Sequence, residues 1–241
     1  MKTRLAVTLS LLTALLAACG TLLPTATPVP PTPTPTPKEL LGQAADATLS
    51  VKSLVFTLQR EGEPVVFDAT TGLKFSEASG EYQAPDRVHA KIKAQFSGTL
   101  LELEMFWLPE GVITSNPLTG SYSRLSASPA FNAAAALGKD GIPGVLKTLD
   151  DVTRVGPEKI EDVETDHLRG EMDQSKLVDP TGTLRALMQA PGLYTVDIWM
   201  DATTAYIVRL SLTEPGGSKW LMDLSDFNQP VEIKAPEGVS P

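Results

Sequence analysis

Apolar and polar residues alternate along most of this chain. Val88, Ala90, Ile92, Ala94 and Phe96 alternate with Arg87, His89, Lys91, Lys93 and Gln95, the period of two that marks a half-buried strand. Leu54, Phe56 and Leu58 do the same with Val55, Thr57 and Gln59, and Leu101, Leu103, Met105 and Trp107 do so opposite Glu102, Glu104 and Phe106. Further strands are predicted at 65–67, 73–83, 112–114, 122–125, 152–159, 166–172, 195–201, 205–213, 220–224 and 231–234. Within 205–213, Tyr206, Val208, Leu210 and Leu212 are expected on one face and Ile207, Arg209 and Ser211 on the other. Ala84-Pro85-Asp86, Pro109-Glu110-Gly111 and Glu214-Pro215-Gly216-Gly217 supply turns. Many alternating strands at short intervals with few helices argue a strongly curved antiparallel sheet.

The period changes in only a few places. Thr36 is a predicted N-cap, Pro37 the first helical residue and Glu39 the returning partner of a capping box. Leu41, Ala44, Thr48 and Val51 follow at helical spacing, and the helix is expected to stop near Ser50. Ser128-Pro129 is placed to cap a short helix running through the alanines to Leu137, and Gly138, Gly141, Pro143 and Gly144 interrupt the chain before Val145 to Leu149. Asp179-Pro180 is expected to start a helix carrying Leu184, Leu187 and Met188, which Pro191-Gly192 stops.

The N-terminus has a different character. Lys2 and Arg4 precede an uncharged run from Leu5 to Leu16, too short for a stable spanning helix, and Leu16-Ala17-Ala18-Cys19 follows. Small residues before the chain's single cysteine form the pattern of a bacterial lipobox. Residues 1–18 are therefore expected to be a signal peptide, and Cys19 the acylated first residue of the mature chain, carrying diacylglyceryl and a palmitate-like acyl group. Two or more acyl chains convert marginal membrane binding into stable anchoring. Residues 24–37, rich in Pro and Thr, read as an extended polyproline stalk of roughly 40 Å at about 3.1 Å per residue. Residues 19–37 are thus anchor and stalk, and 38–241 a domain held at the extracytoplasmic face of the cell membrane.

Losing two cations with the leader moves the formal charge from −9 to −11. Electrostatics will not draw such an acidic body to nucleic acid or to anionic headgroups. One cysteine allows no internal disulfide, so stability rests on packing. The sequence carries no G-x-S-x-G, H-E-x-x-H or P-loop pattern. His89 and His167 read as solvated histidines on polar strand faces, and Glu102 and Glu104 as an outward pair. No catalytic residue, metal site or cofactor is assigned, and no enzyme is expected.

Several segments carry a resemblance. Ser50-Val51-Lys52-Ser53-Leu54-Val55-Phe56-Thr57-Leu58 after a capped helix resembles the opening of the LppX/LprAFG lipoproteins, and Gly80-Glu81-Tyr82-Gln83-Ala84-Pro85-Asp86-Arg87 is similar to their next recurring segment. Tyr194 to Asp201, Tyr206 to Leu212 and Leu224 to Pro236 match their closing strands. The match runs from Lys38 to Gly238. Phe106 to Leu125 departs from it, with Pro-Glu-Gly and a longer Asn-Pro-Leu-Thr-Gly loop where relatives have a short Gly-x-x-Tyr hairpin.

The resemblance implies an α+β fold, a half-open, strongly curved antiparallel β-barrel with helices packed in its concave side, like the LolA and LolB carriers. It also implies an apolar cavity that binds, and in a carrier transports, acylated lipids or glycolipids in the cell envelope. The cavity walls would come from the apolar strand faces: Phe56, Val88, Ile92, Phe96, Leu101, Leu103, Met105, Val196, Ile198, Val208 and Leu210. Leu184, Leu187 and Met188 would form a gate, methionine adapting to varied apolar partners. The same faces also fit a filled barrel, which would make the chain a scaffold lipoprotein docking an exporter or another envelope protein.

Overall fold

The computed structural model describes residues 34–68, 72–126, 131–180, 182–188 and 190–240. Cys19, the leader, most of the stalk and Ser128-Pro129 lie outside the described residues. Pro35–Pro241 makes up one of two units and carries every element below.

Helix α1 (Pro37–Leu49) begins as its sequence predicts. The Thr36 side chain accepts from the Glu39 N–H, and Glu39 returns to the Thr36 N–H at 2.7 Å, satisfying two of the donors a helix start leaves open. That carboxylate is held below its ordinary range by the Thr36 backbone bond and then by the Thr36 hydroxyl. Leu41, Ala44 and Ala45 are buried.

The strands are β1 (Ser53–Glu61), β2 (Val65–Asp68), β3 (Leu73–Gln83), β4 (Arg87–Phe96), β5 (Thr99–Leu108), β6 (Gly111–Ser115) and β7 (Tyr122–Arg124) in the first half. In the second half they are β8 (Asp150–Ile160), β9 (Val163–Asp173), β10 (Leu193–Asp201), β11 (Ile207–Thr213) and β12 (Lys219–Ser225). All pair antiparallel in one sheet ordered β7-β6-β5-β4-β3-β1-β12-β11-β10-β9-β8, with β2 beside the start of β3. The last strand sits against the first, Phe56 opposite Leu224 and Leu58 opposite Met222, and so joins the two halves. The sheet is not closed: β7 and β8 are its two edges.

That order places the remaining helices. The chain leaves one edge at β7 and must reach the other at β8, and this link contains α2 (Ala133–Leu137) and α3 (Ile142–Leu146). A second link, from β9 to β10, contains α4 (Thr183–Leu187) after a single 3₁₀ turn (Gln174–Lys176). The core lies between the inward face of the sheet and these helices. It unites Leu41 and Ala44 of α1, Ala133 and Ala134 of α2 and Leu146 of α3 with Phe56, Val88, Ile92, Met105, Ile198 and Met222.

Four expectations change. The N-cap of α2 is Asn132, whose side chain accepts from the Ala135 N–H. Pro143 and Gly144, expected to interrupt the chain before Val145 to Leu149, lie inside α3, which ends at Leu146 before turns at Thr148 and Leu149. Residues 231–234 are not a strand. Pro230 and Pro236 deprive that arm of donors, and it lies on the outer face, where Ile233 packs with Phe106, Leu108 and Ile113. The Ile233 backbone is satisfied by side chains, its N–H donating to Gln83 Oε1 at 2.9 Å and its carbonyl accepting from Arg87 at 3.2 Å. Alternation in β11 breaks at a bulge between Trp199 and Met200 of its partner. Leu210 and Leu212 pack against the core, but so does Ile207, and Val208 is buried outside it. A bulge opposes two residues to one and shifts the faces, which a strict period of two misses.

Candidate functional site

The inward face of the sheet is almost wholly apolar, and the helices fill most of the space above it. Two small cavities are found there among the described residues. One, of about 30 Å³, is enclosed by Phe56, Leu58, Phe75, Ile92 and Trp107 of the sheet with Ala133 and Ala136 of α2. The other, of about 70 Å³, lies between Leu58, Val196, Leu210 and Trp220 of the sheet and Leu146, Leu184 and Leu187 of α3 and α4. Leu58 and Met222 line both. Each void is far below the ~300–1,000 Å³ of a small-molecule site. Any guest larger than a few heavy atoms would need a helix to move.

The predicted wall residues divide accordingly. Phe56, Ile92, Val196 and Leu210 border these cavities. Val88, Leu103, Met105 and Ile198 are buried in the surrounding core. Leu101 is half-buried, and Val208 is buried apart from that core. Phe96 is 44 % exposed at the last residue of β4, where the strand outruns its cover. Leu184 and Leu187 line the second cavity, whereas Met188 is fully buried against Tyr194 and Val145.

The helices are held very differently. The C-terminal carbonyls of α4 are bonded, Trp220 Nε1–H donating to Leu187 O and Gln174 Nε2–H to Met188 O, both at 3.1 Å. Helix α3 is fastened to α1, with Lys147 on Asp46 and Lys38 on Leu149 O. Helix α2 reads Ala-Ala-Ala-Ala-Leu and, its Asn132 cap aside, makes no side-chain hydrogen bond or ion pair among the described residues. The glycines after it serve close approach: a Cβ on Gly141 would lie 2.2 Å from Ala136 O and one on Gly144 2.3 Å from Lys139 O.

A third cavity, of about 640 Å³, opens beside α2. Ala134, Ala135 and Gly138 form one wall, Tyr82, Ala84, Pro85 and Asp86 with Trp107 to Pro109 another, and Asn132, Lys139 and Asp140 its polar margin. Tyr82 donates to Pro85 O at 3.0 Å, and burial, then Asp86, pushes its phenol above the ordinary range.

At the opposite end of β1, Arg60 and Glu214 form a two-pronged pair, both bonds 2.8 Å, with side chains 4 % and 8 % exposed. The guanidinium lies 5.0 Å from the Trp220 ring centre. This pair was passed over in reading the sequence. Arg60 does follow Leu54, Phe56 and Leu58 at the inward parity, and that was the available clue.

Both histidines depart from expectation. His167 is 6 % exposed: it bonds Asp197 at 2.7 Å, lies 3.3 Å from Glu158 and stacks on Trp199. Arg169 Nε–H also donates to Asp197 at 2.7 Å. With carboxylates at both ring nitrogens, the group ties β8, β9 and β10 together. His89 stacks on Phe106 and faces Glu104 at 3.5 Å, and Glu104 accepts the Tyr122 hydroxyl at 2.9 Å. That bond raises the Tyr122 pKa. Aromatic neighbours across strands, invisible in one strand's alternation, recruit both rings. No group of three or more His, Cys, Asp or Glu that could hold a metal occurs among the described residues, and no helix there is long and apolar enough to cross a membrane.

A strongly curved, half-open antiparallel sheet with short helices laid in an apolar hollow defines the class of protein. The LppX_LprAFG lipoprotein profile matches residues 36–233. LprF from Mycobacterium bovis superposes with a TM-score of 0.62 at 20 % identity, covering 85 % of this chain and 99 % of that one. The Mycobacterium tuberculosis lipoprotein LppX gives 0.59 at 16 %, covering 82 % and 98 %. No curated protein sequence matches significantly. The chain belongs to the LppX_LprAFG lipoprotein family.

Proposed function

We propose that this chain is a membrane-anchored lipoprotein that binds, and passes on, acyl chains at the extracytoplasmic face of the membrane. Cys19 is the anchor, residues 19–37 the tether, and 38–241 the binding domain. The acyl chain occupies the line of the two inner cavities, between the sheet and the helices, displacing α2.

The observation that carries this reading is the contrast between an inward face built almost entirely of apolar side chains and the slightness of what covers it at α2. Moving one ~16-carbon chain out of a bilayer costs on the order of 13 kcal/mol at about 0.8 per methylene. Only a dry apolar enclosure offsets that. Helix α2 is five residues long, far below the ~12 at which an isolated helix is even marginal, so its stability comes from packing on the sheet. An acyl chain replaces alanine methyls with more apolar area and leaves no backbone ladder of the sheet broken.

Native mass spectrometry of the full chain purified from bacterial membranes tests the reading. Mass additions beyond the covalent anchor, corresponding to acyl lipids, are expected, with further uptake from offered vesicles. A chain that carries none and takes up none overturns it.

A further inference from the structure

The outer cavity and the smaller inner one are separated by one helix and one indole. Helix α2 turns Ala134 and Ala135 to the outer cavity and Ala133 and Ala136 to the inner one, and Trp107 lines both. At 3 % exposure, the Trp107 side chain carries an Nε1–H that is buried and has no acceptor among the described residues. A buried donor without a partner costs about 1–3 kcal/mol, and such a group in a native protein calls for an explanation. Tyr82, on the same wall, spends its hydroxyl on Pro85 O and so is not free for a ligand.

Resting on the carrier reading above, in which α2 is displaced, we infer that the outer cavity seats the polar end of an uncharged ester lipid and that Trp107, whose indole N–H is sealed from solvent while α2 is in place, donates it to an ester carbonyl oxygen once α2 has moved. The volume of about 640 Å³ falls within the ~300–1,000 Å³ of sites that take small molecules. Its chemistry is graded. Trp107, Leu108 and Ala134 lie toward the sheet, and Asp86, Asn132, Lys139 and Asp140 form the polar margin. Lys139 is already paired with Asp140 at 2.5 Å, which leaves Asp86 as the net charge there. A phosphate would meet a carboxylate with no free cation among these lining residues, whereas hydroxyl groups of a glycerol or sugar find acceptors. An ester carbonyl belongs at the boundary between polar and apolar parts of such a lipid, and Trp107 stands at the boundary between the cavities. The acyl chain would then run past the indole under α2, toward Phe56 and Ile92.

The test compares dioleoylglycerol with its dioleyl diether analogue, which has the same chains and hydroxyl but no carbonyl. Uptake by the full chain in detergent is measured by native mass spectrometry and by competition with a fluorescent fatty-acyl probe. Trp107→Phe keeps the ring and removes the N–H. It is expected to weaken diester binding about three- to tenfold, the worth of one neutral hydrogen bond, and to leave the diether unchanged. Ala135→Trp fills the outer cavity from its half-buried wall and is expected to abolish uptake of both, with the thermal melting curve showing that the fold is kept. If wild type binds both lipids and Trp107→Phe changes neither, or changes both equally, the assignment of Trp107 is overturned while the carrier reading stands. If wild type binds neither, the carrier reading falls and this site with it.

Discussion

Leu58→Ala probes the space under the sheet most directly, because Leu58 is the β1 residue shared by both inner cavities. It is 5 % exposed and faces Met222 across the β1–β12 ladder. Removing three carbons forfeits roughly 2.4 kcal/mol of transfer free energy at about 0.8 per methylene. The deleted side chain also merges two existing voids. If some 50 Å³ of new space stays open, about 24 cal/mol per Å³ adds roughly 1 kcal/mol. The lipid-free variant should therefore unfold about 3–4 kcal/mol more easily, a melting temperature lower by roughly 7–14 °C for a domain of this size. The merged void is also where the proposed acyl chain would lie. An offered lipid at about 100 times its dissociation constant stabilises by about 2.7 kcal/mol, so most of the loss should return on adding monoolein. Calorimetric scans with and without the lipid decide the matter. A large loss with no rescue would show that the void is closed to acyl chains, and a loss under about 1 kcal/mol would show that the wall collapses instead of leaving space.

Glu214→Ala leaves the Arg60 guanidinium buried without its carboxylate and should cost about 3–5 kcal/mol in urea unfolding; a loss within the ~0–1 kcal/mol of a surface pair would mean that water reaches that end of the sheet. Tyr82 and Tyr194 hold their protons above the ordinary range, in both cases chiefly through burial. The unfolded chain releases these protons near pH 10 while the folded one retains them, so their contribution is complete below that pH and declines as pH rises through the raised values. The urea midpoint should fall above about pH 10, and Tyr194→Phe should make that fall shallower; an unchanged slope in the variant refutes the role of Tyr194.

Local chemistry was the most legible part of the sequence. The Thr36–Glu39 cap follows directly from residue type, and the third strand spans Leu73 to Gln83 as expected. The inward face of β4 from Val88 to Ala94 was legible too, its four apolar positions all buried, although Phe96 at the strand's end is exposed. What escaped was set by contacts between segments distant in sequence. His167 was read from its polar neighbours, but its surroundings are Asp197 and Glu158 on other strands. Ile207 and Val208 depend on a bulge, which is a property of two strands in register. Residues 231–234 carry strand alternation, yet side chains of other segments, not a ladder, satisfy the Ile233 backbone. The family resemblance implied the hollow, but whether helices leave it open is a matter of side-chain volume, which alternation does not encode. Trp107 was placed on the apolar face of β5; that its N–H lacks an acceptor could be seen only with every neighbour in place.

The pairing of β12 with β1 has a consequence for how the chain matures. Until Lys219 to Ser225 arrives, the protein holds two separate half-sheets with four raw borders in place of two, and the partner of residues 55–61 lies more than 150 positions downstream. Contacts that distant are slow to form and leave sticky borders exposed meanwhile. On the proposed reading as an exported lipoprotein, the chain has to be kept from its neighbours until its closing strand has crossed the membrane, and a stop codon before Lys219 should yield aggregates in place of a smaller folded domain.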